Sequence, residues 1–118
     1  MREIYRIVEL APLMCVLILG TSWGADASLD AGAKIYTAKC VACHAKDGKG
    51  NAAMVKVFKL QDPALLNLTS DTAQKHTDAE LVKTTTDGLN KMPAYKGKLT
   101  DTEISEAIAY VRTLVKKQ

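Results

Sequence analysis

Apolar residues recur at helical spacing along the chain, and no stretch shows the strict alternation of apolar and polar residues that marks a half-buried strand. The clearest repeat lies near the C-terminus and comprises Ile104, Ala107, Ile108, Val111, Leu114 and Val115. Thr100 and Glu103 precede it with the spacing of a capping box. The pattern therefore predicts an amphipathic helix that begins after Thr100 and closes an all-α fold.

Other helix signals precede that element. Thr77 opens a second capping box, and Gly88 ends the helix because glycine adopts the left-handed conformation past a last turn. A short helix is predicted over 52–60, and another begins at Pro63, since proline suits the first helical position. These signals predict several short helices between the two ends of the domain.

The first helix of the domain is predicted over 29–43. Gly32, Tyr36 and Cys40 lie four residues apart on one stripe of this helix. A glycine inside a helix costs about 1 kcal/mol relative to alanine, so Gly32 indicates that another helix crosses closely at this point. The alternative is a surface glycine that the helix tolerates.

The first 27 residues have the layout of an export signal. Basic residues precede the apolar run Leu10–Gly20, and Ala25-Asp26-Ala27 offers a small-residue cleavage site. As a helix the run would span about 16 Å, compared with about 30 Å of hydrocarbon in a bilayer, which favours a cleaved signal over a permanent anchor. We predict a signal peptide over 1–27, a single domain over 28–118, and a soluble protein exported to the periplasm.

The chain is short and has few large apolar side chains with which to form a hydrophobic core. The chain has 118 residues, of which 5% are aromatic, and its formal net charge is +3. So small a domain with so few large side chains is marginally stable, which favours a bound cofactor that contributes apolar surface. The lysines are dispersed and no aromatic platform accompanies them, so nucleic-acid binding is not predicted.

Cys40-Val41-Ala42-Cys43-His44 is the attachment signature of a c-type haem. On a helix the two thiols and the imidazole share one face, so the thiols can add to the vinyl groups of a porphyrin while His44 reaches its iron. An oxidising compartment outside the cytoplasmic membrane would put two free thiols at risk unless they are consumed. We therefore predict one covalent haem c, attached through Cys40 and Cys43.

The cysteine pair has three alternative interpretations. A thioredoxin-like redox couple requires a strand before the motif and a βαβ unit around it, which the sequence does not show. A zinc site requires four ligands, and the remaining donors are His76 and scattered carboxylates. A disulfide between Cys40 and Cys43 would close almost no loop and would stabilise little.

Met92 is the candidate for the second axial ligand. It lies in a predicted loop, and Pro93 restricts its backbone to extended conformations. A thioether is a soft, uncharged donor that favours ferrous iron and raises the reduction potential. Met54 is the weaker alternative because the chain must first turn around the haem edge. His76 is the main rival of Met92, because ligation of iron by two histidines is common. It directly precedes a threonine cap, however, where an exposed, solvated histidine is the ordinary interpretation.

On the haem motif, on Lys91-Met92-Pro93-Ala94-Tyr95 and on the closing helix, the chain resembles the small class I monohaem cytochromes c, which include cytochromes c6 and c553. The resemblance implies a fold in which a few helices wrap around one haem and the N- and C-terminal helices cross. It implies thioether bonds at Cys40 and Cys43. His44 would be the proximal ligand, Met92 the distal ligand, and the activity one-electron transfer.

The resemblance also implies one set of contacts and reveals one difference. Gly32 and Tyr36 occupy positions at which family members pack against an aromatic residue of the last helix, here Tyr110. In mitochondrial-type members a proline carbonyl accepts the ring N–H of the proximal histidine, but Lys56 stands there and Pro63 comes later. The acceptor for the proximal histidine is therefore unassigned.

Two protein ligands leave the iron no open site for a substrate, so we predict an electron carrier and not an enzyme. Two alternatives stay open: a haem enzyme or gas- or peroxide-binding protein with an open sixth site, and a cytochrome subunit of a larger oxidoreductase. We expect a monomer, without stable membrane insertion, that meets redox protein partners at acidic docking surfaces. Seven lysines flank the two predicted haem-binding segments and could form a basic collar that steers these partners: Lys34, Lys39, Lys46, Lys49, Lys91, Lys96 and Lys98. The alternative is that they belong to a generally lysine-rich surface.

Overall fold

A computed structural model describes residues 23–116, with side chains from residue 28 onwards. Its elements are α1 (Trp23–Lys39), α2 (Val41–His44), α3 (Ala52–Phe58), a 3-10 helix (Pro63–Leu66), α4 (Asp71–Lys75), α5 (Asp78–Asp87) and α6 (Asp101–Val115). The described residues contain two isolated β-bridges but no strand. The all-α prediction is confirmed.

The predicted export signal falls largely outside this range. Residues 1–22 are not among the described residues, whereas 23–27 belong to α1. The first helix therefore begins before the predicted start at residue 29, and the domain boundary at 27/28 stays a prediction. None of the described helices is long and apolar enough to cross a membrane.

α1 and α6 cross at the predicted glycine. A Cβ on Gly32 would overlap the backbone carbonyl of Glu106 and would lie 3.1 Å from Tyr110 Cβ. Only glycine therefore lets the two helices approach this closely. The rings of Tyr36 and Tyr110 pack against each other with their centroids 5.4 Å apart. Both predicted contacts are confirmed, and the interpretation of Gly32 as a tolerated surface residue is wrong.

Both predicted capping boxes are present at the starts of α5 and α6. The hydroxyls of Thr77 and Thr100 accept the backbone N–H three residues on, and the carboxylates of Glu80 and Glu103 accept the N–H of the cap residue. Gly88 follows α5 with a φ of 76° and a ψ of 168°, so its positive φ favours glycine, but it does not adopt the left-handed helical conformation that the sequence predicts. The buried stripe of α6 comprises Ile104, Ala107, Ile108, Val111 and Leu114.

The first helix does not continue through the haem motif as predicted. α1 ends at Lys39, and Cys40 is the N-cap of the separate helix α2, with φ −113°. The carbonyl of Cys40 accepts the backbone N–H groups of Cys43 and His44, at 3.1 and 2.9 Å. The Cys40 N–H still donates to the Tyr36 carbonyl at 2.8 Å, so the hydrogen bonding of α1 extends to the residue at which α2 begins.

The sequence predicts the middle of the chain less completely. α3 covers 52–58 of the predicted 52–60, and the helix predicted at Pro63 is one 3-10 turn capped by Asp62. α4, capped by Ser70, has no counterpart in the prediction because five residues are too few to show an apolar period. Val115, at the end of α6, is 37% exposed, so the predicted stripe stops at Leu114.

Candidate haem site

The haem motif and the predicted ligand loop meet at one cavity. Cys40, Cys43 and His44 line it together with Met92. Its empty volume is about 950 Å³, a value that includes the solvent-filled space at its open mouth. Its apolar walls include Phe58, Leu60, Leu65, Leu66, Leu68 and Leu89. The fold therefore brings all four predicted site residues to a single apolar pocket.

The chemistry of the donor set fits a covalently attached haem. Cys40 and Cys43 are not joined by a disulfide, so both thiols are available for thioether bonds. Burial, with a smaller contribution from Cys43, raises the pKa of the Cys40 thiol to about 11. The apolar walls suit a porphyrin, and an imidazole and a thioether are both iron ligands.

His44 is held by a hydrogen bond that the sequence leaves unassigned. Its Nδ1 lies 2.9 Å from the carbonyl oxygen of Leu66. Because a carbonyl only accepts, Nδ1 carries the proton and the lone pair of the neutral ring is on Nε2. Burial lowers the pKa of His44, and the bond to Leu66 acts in the opposite direction. The net effect favours the neutral ring, which is the form that binds a metal ion.

Leu66 is the functional residue that sequence analysis misses. It is the last residue of the 3-10 helix that Asp62 caps. The pair Asp62-Pro63 predicts where this helix begins, but the direction of the carbonyl at its end depends on how the helix packs. The chain beyond it is tied to the turn after the haem motif, since the Leu68 N–H donates to the Gly48 carbonyl at 2.7 Å.

Met92 lies in a tight turn that is held against α5. Leu89 and Met92 exchange backbone hydrogen bonds of 3.1 and 2.9 Å, and the Tyr95 N–H donates to the Thr85 carbonyl at 3.1 Å. The turn also packs onto Gly88, where an added Cβ would lie 2.8 Å from the Met92 carbonyl oxygen. The backbone of α5 and a missing Cβ thus determine where Met92 lies.

Tyr95 connects the Met92 turn with the haem motif. Its hydroxyl donates to the Lys39 carbonyl at 2.9 Å, directly before Cys40, and its side chain lines the cavity. Burial is the main cause that raises the pKa of Tyr95, so the hydroxyl keeps the proton that it donates. One side chain thereby joins the two segments that contribute the site residues.

The alternative ligands lie elsewhere. Neither Met54 nor His76 is among the described residues that line the cavity. The Nδ1 of His76 lies 3.6 Å from the Glu80 carboxylate, and its side chain is 55% exposed, as expected of a solvated histidine. Between residues 23 and 116, no three His, Cys, Asp or Glu side chains are grouped so that they could hold a metal ion. The zinc alternative therefore lacks a ligand set in this part of the chain.

The mouth of the cavity combines apolar and basic residues. Leu65 and Leu89 line the cavity and are 64% and 60% exposed. Lys39 and Lys91, two members of the predicted basic collar, also line it and are exposed. The remaining lysines of the collar are exposed as well.

Comparison with known proteins identifies the family. A family model described as "Cytochrome C oxidase, cbb3-type, subunit III" matches residues 27–111. The chain is 33% identical to a cytochrome c6 of Picosynechococcus sp. over 107 residues, which are 88% of this chain and 87% of that protein. It is 32% identical to a cytochrome c6 of Nostoc sp. over 111 residues, covering 94% and 92% of the two chains.

A further relative is much longer than this chain. The protein named cbb3-type cytochrome c oxidase subunit FixP of Bradyrhizobium sp. is 40% identical over 97 residues, which are 81% of this chain and 30% of FixP. The similarity to the c6 proteins extends over most of both sequences, and the helix crossing and the Cys-x-x-Cys-His motif agree with it. The chain therefore belongs to the monohaem cytochrome c family, which implies a covalently bound haem.

Proposed function

We propose that this protein carries single electrons on a covalently bound haem. Cys40 and Cys43 supply the thioether bonds, and His44 and Met92 are the axial ligands of the iron. The observation that carries the proposal is that these four residues, from two separate segments of the chain, line the same largely apolar cavity. The similarity to cytochromes c6 over most of the chain supports it.

Each ligand has a defined task. A bound haem supplies an iron that changes between the ferrous and ferric states. His44 offers its Nε2 because Leu66 accepts the Nδ1 proton, and this bond makes the imidazole a stronger donor. Met92 contributes an uncharged thioether, which favours the ferrous state and raises the reduction potential. Because both ligands are held by protein, a change of oxidation state requires little rearrangement.

Redox partners dock at the mouth of the cavity in this proposal. The exposed Leu65 and Leu89 provide an apolar contact, and Lys39 and Lys91 border it with positive charge. Such a surface suits a protein partner with an acidic docking site. The association rate constant measured by stopped flow should fall steeply as ionic strength rises. An association rate constant that does not change with ionic strength would show that the lysines do not steer the partner.

The second candidate is a cytochrome subunit of a larger oxidoreductase. The identity to FixP, which is named as an oxidase subunit, and the matching family model favour it. The two candidates differ in what accompanies the protein. A free carrier is a monomer in the periplasmic fraction, as the signal-like residues 1–27 predict. A subunit copurifies with other redox proteins from its source and elutes with them in gel filtration.

Absorption spectroscopy tests the ligand set directly. The protein is expressed with its N-terminal residues in a host that matures c-type cytochromes in the periplasm. We expect a haem that stays attached in acid and organic solvent, and a weak long-wavelength ferric band from the bond between sulfur and iron. We also expect slow binding of carbon monoxide to the reduced protein. A missing sulfur–iron band together with rapid carbon monoxide binding would support the enzyme or gas-binding alternative instead.

A further inference from the structure

The carbonyl that holds His44 lies directly against a glycine. An added Cβ on Gly50 would be 3.0 Å from the Leu66 Cβ, 3.2 Å from its carbonyl carbon and 3.3 Å from its carbonyl oxygen. That oxygen is the atom 2.9 Å from the His44 Nδ1. Gly50 has a φ of +96°, which L side chains rarely adopt. The backbone conformation therefore favours glycine, and a methyl group at this position would force Leu66 to shift by a few tenths of an ångström.

Gly50 cannot easily retreat from Leu66, because its turn is bonded to the haem motif. The Gly50 N–H donates to the His44 carbonyl at 2.9 Å, and the next N–H, that of Asn51, donates to the Cys43 carbonyl at 2.9 Å. The Asn51 side chain donates to the Ala42 carbonyl at 2.9 Å. Three hydrogen bonds thus hold the turn on α2, so an added Cβ would displace the Leu66 carbonyl rather than the turn.

We propose that Gly50 is a positioning residue for His44: its missing Cβ lets the Leu66 carbonyl reach the Nδ1–H of the proximal ligand. Gly50, Leu66 and His44 form a closed ring of contacts, with one hydrogen bond from Gly50 to His44 and one from His44 to Leu66. Gly50 does not itself line the cavity, and it acts on the His44 ring through Leu66. The inference rests on the proposed function, since it concerns the donor strength of an iron ligand.

The position of the carbonyl affects the reduction potential. A hydrogen bond from Nδ1–H to a carbonyl gives the imidazole more negative charge and makes it a stronger donor. A stronger donor stabilises ferric iron relative to ferrous iron. If a methyl group at position 50 moves the Leu66 carbonyl away, His44 becomes a weaker donor and the potential rises.

The chain offers a matched control for this substitution. Gly97 has a φ of +77°, and a Cβ added there meets nothing within 4 Å. Gly50→Ala and Gly97→Ala therefore both place a methyl group on a left-handed residue, but only the former acquires a contact with Leu66. The difference between the two variants isolates the contact from the backbone strain that they share.

Two measurements on the mature holoprotein test the proposal. Hydrogen exchange of the His44 Nδ1–H, followed by NMR in the ferrous protein, should be faster in Gly50→Ala, by up to about tenfold, which is the limit set by loss of an ordinary hydrogen bond. The ferric to ferrous ratio at a fixed potential should fall by up to about tenfold, which corresponds to a rise of about 59 mV for one electron. Gly97→Ala should match the parent protein in both.

Equal exchange rates and potentials in Gly50→Ala and Gly97→Ala would overturn the proposal. If Gly50→Ala does not mature, Asp62→Ala tests the same carbonyl from the other side, because the Asp62 carboxylate accepts the Ala64 N–H at 2.9 Å and caps the 3-10 helix. Asp62→Ala should also speed exchange of the His44 Nδ1–H and raise the reduction potential. Asp62→Asn keeps a capping side chain and should have the exchange rate and potential of the parent protein. Unchanged values in Asp62→Ala would then overturn it. The proposed function is tested separately, by the presence or absence of the sulfur–iron band in the parent protein.

Discussion

The two parts of the site are built in different ways. The proximal segment, residues 40–51, contains three of the four site residues within one short motif, and hydrogen bonds from Gly50 and Asn51 to the carbonyls of His44 and Cys43 close it on itself. The distal loop, residues 88–99, contributes Met92 alone, and its position depends on α5 and on the bond from Tyr95 to Lys39. Local hydrogen bonds therefore determine the backbone of the proximal segment, and the distant Leu66 carbonyl holds only the His44 ring, whereas tertiary contacts determine the position of the whole distal loop.

This difference predicts unequal consequences of damage. Loss of both cysteines of the proximal segment should prevent attachment of the haem, and the cavity walls then have nothing to pack against. Changes in the distal loop should remove or weaken only the proposed ligand Met92 and leave the covalent attachment in place. The proposed roles can thus be separated by comparing variants of the two regions, and the effects should decrease from the first region to the second.

The largest effect is expected for Cys40→Ala/Cys43→Ala. Within residues 28–116 only two large side chains, Tyr36 and Ile104, are less than 2% exposed, so the haem should supply much of the apolar contact that the domain needs. We expect the variant to lose most of its helical circular dichroism at 25 °C. Cys40→Ala alone keeps one site for a thioether bond and should keep more of the signal. Native helix content without haem would contradict the prediction.

The next effect is expected for Met92→Ala. Loss of the thioether should abolish the sulfur–iron band and open the sixth position, so carbon monoxide should bind the reduced protein rapidly. The helical circular dichroism should be retained, because both cysteines remain. Met54→Ala makes the same chemical change at a residue that does not line the cavity and should leave the band unchanged. The assignment would be wrong if only Met54→Ala removed the band.

The sequence predicts those parts of the fold whose signals are local. The capping boxes at Thr77 and Thr100 and the Cys-x-x-Cys-His motif are each complete within a few residues. The crossing at Gly32 is also predictable, since a glycine inside a helix has an energetic cost that a close contact explains. These features required no knowledge of how distant segments pack.

Other parts depend on packing and leave no local signal. The acceptor for His44 is the Leu66 carbonyl, and every residue has a carbonyl, so only the placement of the 3-10 helix against Gly50 selects it. The apolar pattern likewise predicts one continuous helix through Cys40, whereas the structure has a break there between α1 and α2. The sequence thus predicts which candidate residues meet at the cavity, but not the contacts that orient them.

Within the distal loop, Gly88→Ala should weaken the bond between Met92 and iron. An added Cβ would lie 2.7 Å from the Ala94 nitrogen and 2.8 Å from the Met92 carbonyl oxygen, so the turn would have to move. Displacing a packed backbone costs about 1–3 kcal/mol, which should reduce the sulfur–iron band and ease displacement of Met92 by added imidazole roughly tenfold. Gly97→Ala, with φ +77° against +76° for Gly88, is the control. Equal imidazole affinities in the two variants would refute this role.

The smallest effect is expected for Tyr95→Phe, which removes only the hydroxyl that joins the distal loop to the Lys39 carbonyl. This bond is exposed, so water replaces it in part and we expect a loss of about 0.5–1 kcal/mol, seen as cyanide binding to the ferric protein about two- to fivefold faster. Tyr36→Phe is the proximal counterpart, since its buried hydroxyl donates to the Ala45 carbonyl at 2.7 Å. It should lower the free energy of unfolding by about 1–3 kcal/mol and leave the cyanide rate unchanged. If Tyr36→Phe accelerated cyanide binding as much as Tyr95→Phe, the two regions would not be independent and the comparison would fail.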